Sequence, residues 1–310
     1  MDAVEVVAVC PKMRYLLGLL DRVARTDATL VIYGESGTGK DLFARLAHEK
    51  SRRSGAALVK IDFSTFPSEL LESELFGYEK GAFSGAFSSK PGRLEAATGG
   101  TLVLDELIHL SPQSQAKLLR IIEDREFMRL GAVTKTPLDV RLIVLSSIKL
   151  IEAVNAGLLR VDLFHRLNIV SLELPPLRER RPDLEVLLDL CLKRAARLHR
   201  KSVKTISDEA KRLLLEYEYP GNVRELQNIL ERAVILAASE TIQVEHLPDY
   251  MVSIRRFVDG RKMTLAEVEA LYIREVLLET RGHKTKAAKI LGISRKNLYE
   301  KMKKYSIKVN

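Results

Sequence analysis

One short stretch constrains the fold of this chain more than any other: the segment TLVIYGESGTGKD at residues 29–41. An aliphatic run that suits a buried strand is followed at once by a glycine-rich loop, and an amphipathic helical pattern begins after Lys40. Glycines at such a junction let the backbone curl so that successive N–H groups point at one anion, and the helix N-terminus adds its positive end. The spacing G-x-x-x-x-G-K is that of a phosphate-binding loop.

We therefore expect this loop to bind the phosphates of a nucleotide such as ATP. Asp41 stands where a Ser or Thr hydroxyl usually contacts magnesium, so its part in holding the metal stays open at this point. An accidental glycine-rich turn is the competing interpretation, and the ordered succession of strand, loop, lysine and helix disfavours it. The predicted nucleotide-binding residues of the loop are Gly34, Glu35, Ser36, Gly37, Thr38, Gly39, Lys40 and Asp41.

Further aliphatic runs, separated by helix-length segments, lie at residues 57–63, 101–106, 140–147 and 168–175. Continuous apolar strands in this arrangement are typical of a parallel sheet covered by helices on both faces. The prolines and charges of residues 175–183 then break the chain, and the pattern is helical to about residue 248. The sequence predicts an α/β core followed by an all-helical region.

The run at residues 101–106 ends in two acids, Asp105 and Glu106. Burying carboxylates at the end of a strand costs free energy of folding, so such residues usually bind a cation or take part in a reaction. Asp105 would hold Mg²⁺, directly or through water, and Glu106 would polarise the water that attacks the γ-phosphate. Acids also favour helix starts, which is the alternative explanation for this pair.

Longer segments of the chain share the pattern of one known family; in order, they are GESGTGKDLFARLAH, LLESELFGYEKGAFSGA, GRLEAATGGTLVLDEL, AKLLRIIEDREFMRLGA, DVRLIVLSS, LLRVDLFHRLNIVSLELPPLRER and YPGNVRELQNILERAVILA. They resemble the AAA+ domain of bacterial enhancer-binding proteins, the activators of sigma-54 RNA polymerase, over residues 7–248. The resemblance implies a P-loop NTPase core with a parallel sheet at residues 1–175, a helical lid at 176–248 and a linker at 249–263. It also implies a homo-oligomeric ring, usually a hexamer.

The same resemblance gives roles to individual residues. Arg160 and Arg166 match the arginine fingers, which neutralise charge on the γ-phosphate bound by the adjacent subunit; an ordinary ion pair is the alternative for either one. Arg224 matches the second sensor of the nucleotide, and Ser147 stands at the first sensor. Asp62 occupies the place of an Asn that hydrogen-bonds the catalytic glutamate.

The segment GAFSGA resembles the GAFTGA loop of this family, which contacts sigma-54. Its glycines and alanines surround one aromatic ring, so we expect a mobile loop with the ring at its tip. A plain surface turn is the alternative. The predicted sigma-54-contacting residues are Gly81, Ala82, Phe83, Ser84, Gly85 and Ala86.

Three residues depart from the family pattern. Ser84 replaces a Thr, Ser147 replaces an Asn with a shorter side chain, and an ionised Asp62 would repel Glu106. The leading hypothesis is a DNA-bound ATPase that remodels sigma-54 RNA polymerase. The three departures favour a second hypothesis, a DNA-binding regulator with weak or no ATPase activity that does not remodel polymerase, and a remodelling AAA+ enzyme unrelated to transcription is a third.

The positive charge of the chain is concentrated at its C-terminus. Ten of the 50 Lys and Arg residues, but only one of the 41 acidic residues, lie within residues 281–310, so the rest of the chain is electrically balanced. Such a distribution is typical of a nucleic-acid-binding module, although a solvated charged face is the simpler alternative.

Residues 264–310 resemble the Fis-type helix-turn-helix domain that binds double-stranded DNA. We expect a first helix whose apolar face is Leu265, Val268, Tyr272 and Val276, and a third helix with Leu298, Met302 and Tyr305 in the core. A charged but inert helical hairpin is the alternative. The predicted DNA-binding residues are Lys284, Arg295, Lys296, Asn297, Tyr299 and Lys303.

Cys10 and Cys191 match no metal-ligand spacing, and we expect both to be packed free thiols. No apolar run is long enough to cross a bilayer, and the N-terminus lacks the basic start of a signal peptide, so the sequence predicts a cytoplasmic protein. About 13 residues precede the AAA+ core, so we expect control to come from a separate protein, from DNA-driven assembly, from the expression level, or from a part of the protein that this sequence does not include.

Overall fold

The structure, a computed structural model, describes residues 6–251, 264–280 and 282–307. Most of the linker predicted at residues 249–263 and the end of the predicted C-terminal domain lie outside the described residues. The chain divides into two compact units. One comprises Met1–Asp189 with Glu218–Leu226, and the other comprises Leu190–Tyr217 with Gln227–Asn310.

The elements follow one another in an α/β order and then a helical one. The strands are β1 (Leu30–Tyr33), β2 (Leu58–Asp62), β3 (Gly77–Tyr78), β4 (Lys90–Pro91), β5 (Thr101–Asp105), β6 (Glu126–Phe127), β7 (Thr136–Pro137), β8 (Arg141–Ser146), β9 (Val170–Glu173), β10 (Thr205–Ile206) and β11 (Thr241–Ile242). The helices are α1 (Pro11–Ala24), α2 (Lys40–Glu49), α3 (Ser68–Phe76), α4 (Arg93–Ala97), α5 (Pro112–Asp124), α6 (Leu150–Asn155), α7 (Val161–Leu167), α8 (Arg181–Leu198), α9 (Asp208–Glu216), α10 (Asn222–Leu236), α11 (Leu265–Glu279), α12 (Lys284–Ile290) and α13 (Arg295–Lys304).

The centre of the first unit is a five-stranded sheet with the strand order β2-β5-β8-β1-β9. Every neighbouring pair in it is parallel. Alternate residues of β1, β5 and β8 enter two separate apolar clusters: Val31, Leu104 and Val144 pack on one face, and Ile32 and Val103 pack on the other. Helices therefore cover both faces, which is why the three inner strands β1, β5 and β8 are buried along their whole length. The α/β fold class predicted from the sequence is confirmed.

The functional residues follow from this topology, because parallel strands bring their carboxyl ends to one edge of the sheet. Tyr33 is paired with Ser146 and Asp62 with Asp105 in the strand register. The glycine-rich loop after β1, the acids after β5 and the serine after β8 consequently lie at the same edge.

In the second unit, the last three described helices form their own apolar core from α11, α12 and α13. Leu298 and Met302 are buried in it, and Tyr305 packs against it, as the sequence predicts. The predicted core face of α11 is wrong in part, since Leu265 is 88% exposed and Tyr272 is 52% exposed. Helix α11 has apolar residues on two sides, and the second and third helices cover the side that carries Ile273, Val276 and Leu277.

Both cysteines are free and buried, as the sequence predicts. No cluster of potential metal ligands with three or more His, Cys, Asp or Glu side chains occurs in the described part of the chain. None of the helices in the described ranges is long and apolar enough to cross a membrane.

Candidate functional site

The phosphate-binding loop joins β1 to α2 and depends on its glycines. Gly37 has φ +80°, and a Cβ atom there would lie 2.2 Å from the carbonyl oxygen of Gly221. Gly39, with φ +105°, is the N-cap of α2, so the backbone N–H groups at this helix start face the loop cavity. The close approach at Gly37 and the left-handed backbone at Gly39 favour glycine at both positions.

Lys40 lies inside the curl of this loop. Its Nζ donates to the carbonyl oxygens of Gly34 at 2.6 Å and Glu35 at 3.3 Å. Burial lowers the pKa of the Lys40 ammonium, whereas the nearby carboxylates of Glu106 and Asp105 act in the opposite direction. The ammonium is thus held by weak carbonyl acceptors at the place where an anionic phosphate would be a stronger partner.

Residues distant in the sequence hold the outer side of the loop. The guanidinium of Arg178 forms two hydrogen bonds to the carboxylate of Glu35, at 2.6 and 2.9 Å, and thereby lowers the pKa of Glu35. Asn222 Nδ2 donates to Glu35 Oε2 and to the carbonyl oxygen of Ser36. Arg224, predicted to sense the nucleotide, donates from Nη1 to Ser36 Oγ at 3.4 Å.

A buried arginine also forms a hydrogen bond to the loop. Arg180 is 3% exposed, and its Nη2 donates to the carbonyl oxygen of Thr38 at 2.9 Å. Thr38 Oγ1 in turn donates to the carbonyl oxygen of Glu35 at 2.8 Å. The loop shape is therefore held by hydrogen bonds to its carbonyl oxygens, and the N–H groups of Gly34 and Thr38 also donate within the chain, to the carbonyl oxygens of Ser146 and Glu35.

Asp105, the predicted magnesium ligand, lies at the end of β5 and is 8% exposed. Its Oδ2 forms an ion pair with Lys60 Nζ at 2.7 Å, and the same ammonium pairs with the carboxylate of Asp41. Burial raises the pKa of the Asp105 carboxyl, and Lys60 partly offsets this effect. Lys60 is a site residue that the sequence interpretation missed.

The carboxylates fit a hard divalent cation. Asp105 Oδ1 is buried and has no hydrogen-bond partner among the described residues, so its lone pairs are available to a metal ion or to a water bound to one. Asp41 brings a second carboxylate to the same Lys60 ammonium. Oxygen donors of this kind, at the mouth of a phosphate-binding loop, suit Mg²⁺.

Glu106, the predicted water-polarising residue, follows Asp105 with a left-handed backbone, φ 55°. A glutamate in this conformation is uncommon, and such residues cluster at functional sites. Ser147 Oγ donates to Glu106 Oε2 at 3.1 Å, so the side chain after β8 orients this carboxylate. Asp62 instead accepts from the backbone N–H and the hydroxyl of Ser64, at 3.0 and 2.6 Å.

The two predicted arginine fingers lie around α7. Arg160 pairs with Asp162 at 2.7 Å, and its backbone N–H donates to Gln115 Oε1 at 2.9 Å. Arg166 Nη2 lies 3.5 Å from the carbonyl oxygen of Ile122 on α5. The ion pair of Arg160 is half-exposed, so its guanidinium is accessible from solvent.

The GAFSGA segment is a loop between β3 and β4 that is closed by a hydrogen bond from Gly81 N to the carbonyl oxygen of Ala86. The ring of Phe83 is 46% exposed and contacts the edge of Tyr78, with the ring centroids 5.0 Å apart. Phe87, directly after the loop, is 87% exposed. The sequence interpretation did not single out this second ring.

The predicted DNA-binding side chains surround α13, which begins at the N-cap Ser294. All of them except Lys284 are exposed, and Lys284 is half-buried, with its Nζ 5.2 Å from the ring centroid of Tyr299. The exposed members are Arg295, Lys296, Asn297, Tyr299 and Lys303. Leu298 and Met302 anchor the opposite side of the helix in the core, so the basic side faces solvent.

Comparison with known protein families matches three consecutive regions. Residues 6–173 match the Sigma-54 interaction domain, residues 178–259 the AAA+ ATPase lid domain, and residues 264–305 the bacterial regulatory proteins of the Fis family. The chain belongs to the sigma-54-dependent transcriptional regulators. The family resemblance predicted from the sequence is confirmed, and so is the presence of a Fis-type helix-turn-helix.

Curated relatives agree with this membership. The transcriptional regulatory protein ZraR of Salmonella typhimurium is 46% identical over 294 residues, which are 94% of this chain and 67% of that protein. The transcriptional regulatory protein FlbD of Caulobacter vibrioides is 42% identical over 317 residues, covering 96% of this chain and 69% of that protein. Among solved structures, NtrX from Brucella abortus in complex with ATP is 31% identical, with a TM-score of 0.72, covering 98% of this chain and 69% of that one.

Several residues of this regulator's site escaped the sequence interpretation: Lys60, Arg178, Arg180 and Asn222. One signal could have found Lys60, because strand residues two apart share a face and Lys60 is two positions before Asp62 on β2. The other three contact the loop from more than 140 positions further along the chain, and no local pattern reports such pairings.

Proposed function

We propose that this regulator hydrolyses ATP as a magnesium complex and uses the energy to remodel the closed complex of sigma-54 RNA polymerase. In this proposal the protein works in the cytoplasm, bound to double-stranded DNA upstream of its promoters, as a homo-oligomeric ring, a hexamer in its usual form. The observation that carries the proposal is the juxtaposition of Lys40 with the carboxylates of Asp105 and Glu106 at the carboxyl edge of the sheet.

ATP fits the site through its phosphates. The N–H groups of the loop and the ammonium of Lys40 would bind the phosphate oxygens, and Arg224 would reach the nucleotide from its position beside Ser36. Asp105, with Asp41 beside it, would hold Mg²⁺, which supplies charge stabilisation at the phosphate oxygens when it is bound. The solved complex of NtrX with ATP supports ATP as the nucleotide.

Glu106 would act on the attacking water. Its carboxylate accepts a hydrogen bond from Ser147, which leaves the second oxygen free to take a proton from the water. Arg160 and Arg166 would enter the site of a neighbouring subunit and neutralise charge on the γ-phosphate in the transition state. For Arg160 this requires the exposed pair with Asp162 to open, which costs little because exposed ion pairs are weak.

Polymerase and DNA would be contacted by two other regions. The half-exposed ring of Phe83, on a loop flanked by Gly81 and Gly85, would contact sigma-54. The cationic side of α13 would lie against DNA, with Arg295 and Lys296 at its start. The match of the chain to the Sigma-54 interaction domain and the Fis family supports both assignments.

A second candidate function is a DNA-binding regulator that binds nucleotide without hydrolysing it or remodelling polymerase. One observation favours it: both carboxylates that would drive hydrolysis already have partners on this chain, Lys60 for Asp105 and Ser147 for Glu106. Under this alternative, nucleotide would serve to assemble the protein rather than to power it.

The test measures ATP hydrolysis against protein concentration, with and without the sigma-54 closed complex, and scores open promoter in the same reactions. We expect cooperative turnover with promoter opening, and a loss of about 10²-fold or more in turnover for Glu106→Gln, since general base catalysis contributes that much. Glu152→Gln, an exposed glutamate on α6, is the matched control. DNA binding without turnover or opening would replace the proposal with the second candidate.

The loop assignment has its own comparison. Phe83→Ala should abolish promoter opening, whereas Phe87→Ala, which removes an even more exposed ring four residues away, should retain it. Full opening by the Phe83 variant would show that the loop does not couple hydrolysis to polymerase.

A further inference from the structure

Lys60 is the residue of the site whose role the proposed reaction leaves unexplained. It lies in the middle of β2, an edge strand of the sheet, and its Nζ contacts the carboxylates of both Asp41 and Asp105. Its side chain is 37% exposed, while that of Asp105 is 11% exposed, so the ammonium lies between a buried acid and solvent. The ammonium of Lys60 is thus paired with two carboxylates at once.

The ammonium occupies the neighbourhood that a metal ion would use. Asp105 Oδ2 is paired with Lys60, and Oδ1 of the same carboxylate is the buried atom without a partner among the described residues. A divalent cation at Oδ1 would therefore stand within a few ångströms of a fixed positive charge. Like charges at that range repel strongly in a partly buried site.

Binding of a nucleotide would change the balance of positive and negative charge in the site. Without it, the site holds the ammonium groups of Lys40 and Lys60 next to the carboxylates of Asp41, Asp105 and Glu106, and each ammonium already has partners on the chain. The phosphates of ATP bring additional negative charge, which both ammonium groups and a metal ion can share.

We propose that Lys60 is a built-in counter-cation that excludes free divalent metal from Asp41 and Asp105, so that magnesium enters this site only as the nucleotide complex. This inference rests on the magnesium site of the proposed function. In this inference Lys60 determines that metal bound to nucleotide enters the site and free metal does not, and the residue has no catalytic role.

The alternative role for Lys60 is purely structural, as an ion pair that joins β2 to β5 and α2. A structural pair affects the stability of the unit but not its affinity for a metal ion, so a direct metal-binding measurement separates the two roles. Mn²⁺ is a suitable probe because it accepts the same oxygen ligands as Mg²⁺ and its free form gives a paramagnetic resonance signal.

The experiment titrates the nucleotide-free chain of 310 residues with Mn²⁺ and measures free Mn²⁺ by paramagnetic resonance. Lys60→Met removes the charge and keeps an unbranched side chain only one atom shorter, and Lys60→Gln is a second neutral variant in case the first folds poorly. Lys60→Arg retains the charge. Lys149→Met is the matched control, because Lys149 pairs with a single carboxylate, Glu173, outside the site.

We expect the dissociation constant for Mn²⁺ to fall by about tenfold or more in both neutral variants, as the loss of a like charge at short range predicts. The Lys60→Arg and Lys149→Met variants should behave as the unaltered protein does. Equal Mn²⁺ affinity in the unaltered protein and the neutral variants, including no binding in any of them, would overturn the inference. Because the experiment measures metal binding and not turnover, its result for Lys60 can be interpreted even if the protein does not hydrolyse ATP. An absence of ATP hydrolysis would refute the proposed function alone.

Discussion

Gln115 offers a sharp test of how the structure holds one predicted arginine finger. Its side chain is 1% exposed on α5 and makes three hydrogen bonds to backbone groups. Nε2 donates to the carbonyl oxygens of Leu110 at 3.0 Å and Leu158 at 2.9 Å, and Oε1 accepts from the N–H of Arg160 at 2.9 Å. The perturbation is Gln115→Leu, which keeps the volume and removes every polar atom of the side chain.

The magnitude follows from those three bonds. Each buried hydrogen bond contributes about 0.5–1.5 kcal/mol net, and the variant leaves two carbonyl oxygens and one N–H without their partner, so we expect a loss of about 2–4 kcal/mol. In a domain of this size 1 kcal/mol corresponds to a change in Tm of about 2–4 °C, so the transition of the first unit should fall by roughly 5–15 °C. The apolar contacts of the new leucine reduce the loss but do not satisfy the backbone groups.

Urea unfolding followed by circular dichroism measures the free energy of unfolding, and Gln113→Leu is the matched control. Gln113 lies on the same helix and is exposed, so the identical substitution there should change stability by no more than about 0.5 kcal/mol. A loss below about 1 kcal/mol for Gln115→Leu, or equal losses for the two variants, would refute the hydrogen-bond reasoning.

Three further predictions use other parts of the chain. Gly100→Ala should destabilise the protein by about 2 kcal/mol or more, because the added Cβ would lie 2.1 Å from the carbonyl oxygen of Ala57. Gly18→Ala should instead stabilise it by about 0.5–1 kcal/mol, because Gly18 lies within α1 and has open space around it. Urea unfolding that gives both substitutions the same sign would contradict this. Burial raises the pKa of the Cys191 thiol from 9.0 to about 11. The contribution of the buried neutral thiol to stability is therefore complete below pH 9.0 and is lost as the pH rises towards 11. A disulfide reagent at pH 8 should modify Cys191 only after unfolding. If Arg295 contacts a DNA phosphate, Arg295→Ala should lower the slope of log affinity against log salt by about one, and an unchanged slope in binding titrations would remove it from the phosphate contacts.

The five strands of the parallel sheet were predictable because each lies within a mainly aliphatic run, whereas the two-residue strands, such as β3 and β4, were not predicted. The run predicted at residues 101–106 is β5, Thr101–Asp105, and the run at 140–147 is β8, Arg141–Ser146. The fate of Arg141 was not predictable, since a charged residue at the start of a strand normally faces solvent. It is fully buried, and its guanidinium donates to carbonyl oxygens at the ends of α1 and α2, those of Val23, Ala24 and Ala47.

As with the fold, the parts of the site that depend on neighbouring positions in the sequence were predicted, and the contacts between distant positions were not. The phosphate-binding loop and the Asp105–Glu106 pair were found from the sequence because each occupies a few consecutive positions with a known chemical purpose. Ser147 was found through the family resemblance, but its hydrogen bond to Glu106 was not predicted. Lys60 was missed, because it reaches Asp105 only through the strand order of the sheet. The same limit applies to α11, whose two apolar sides are equivalent in the sequence until α12 and α13 cover one of them.

The glycine at the base of the GAFSGA loop is packed more closely than the glycines within the loop. At the base, Gly77 accepts from Leu130 N and Leu130 accepts from Glu79 N, and a Cβ on Gly77 would lie 2.4 Å from the carbonyl oxygen of Lys90. At the two glycines of the loop itself, Gly81 and Gly85, nothing lies within 4 Å of an added Cβ. Since the segment that carries Leu130 follows α5 and β6, a displacement of that segment would move the base of the loop with it.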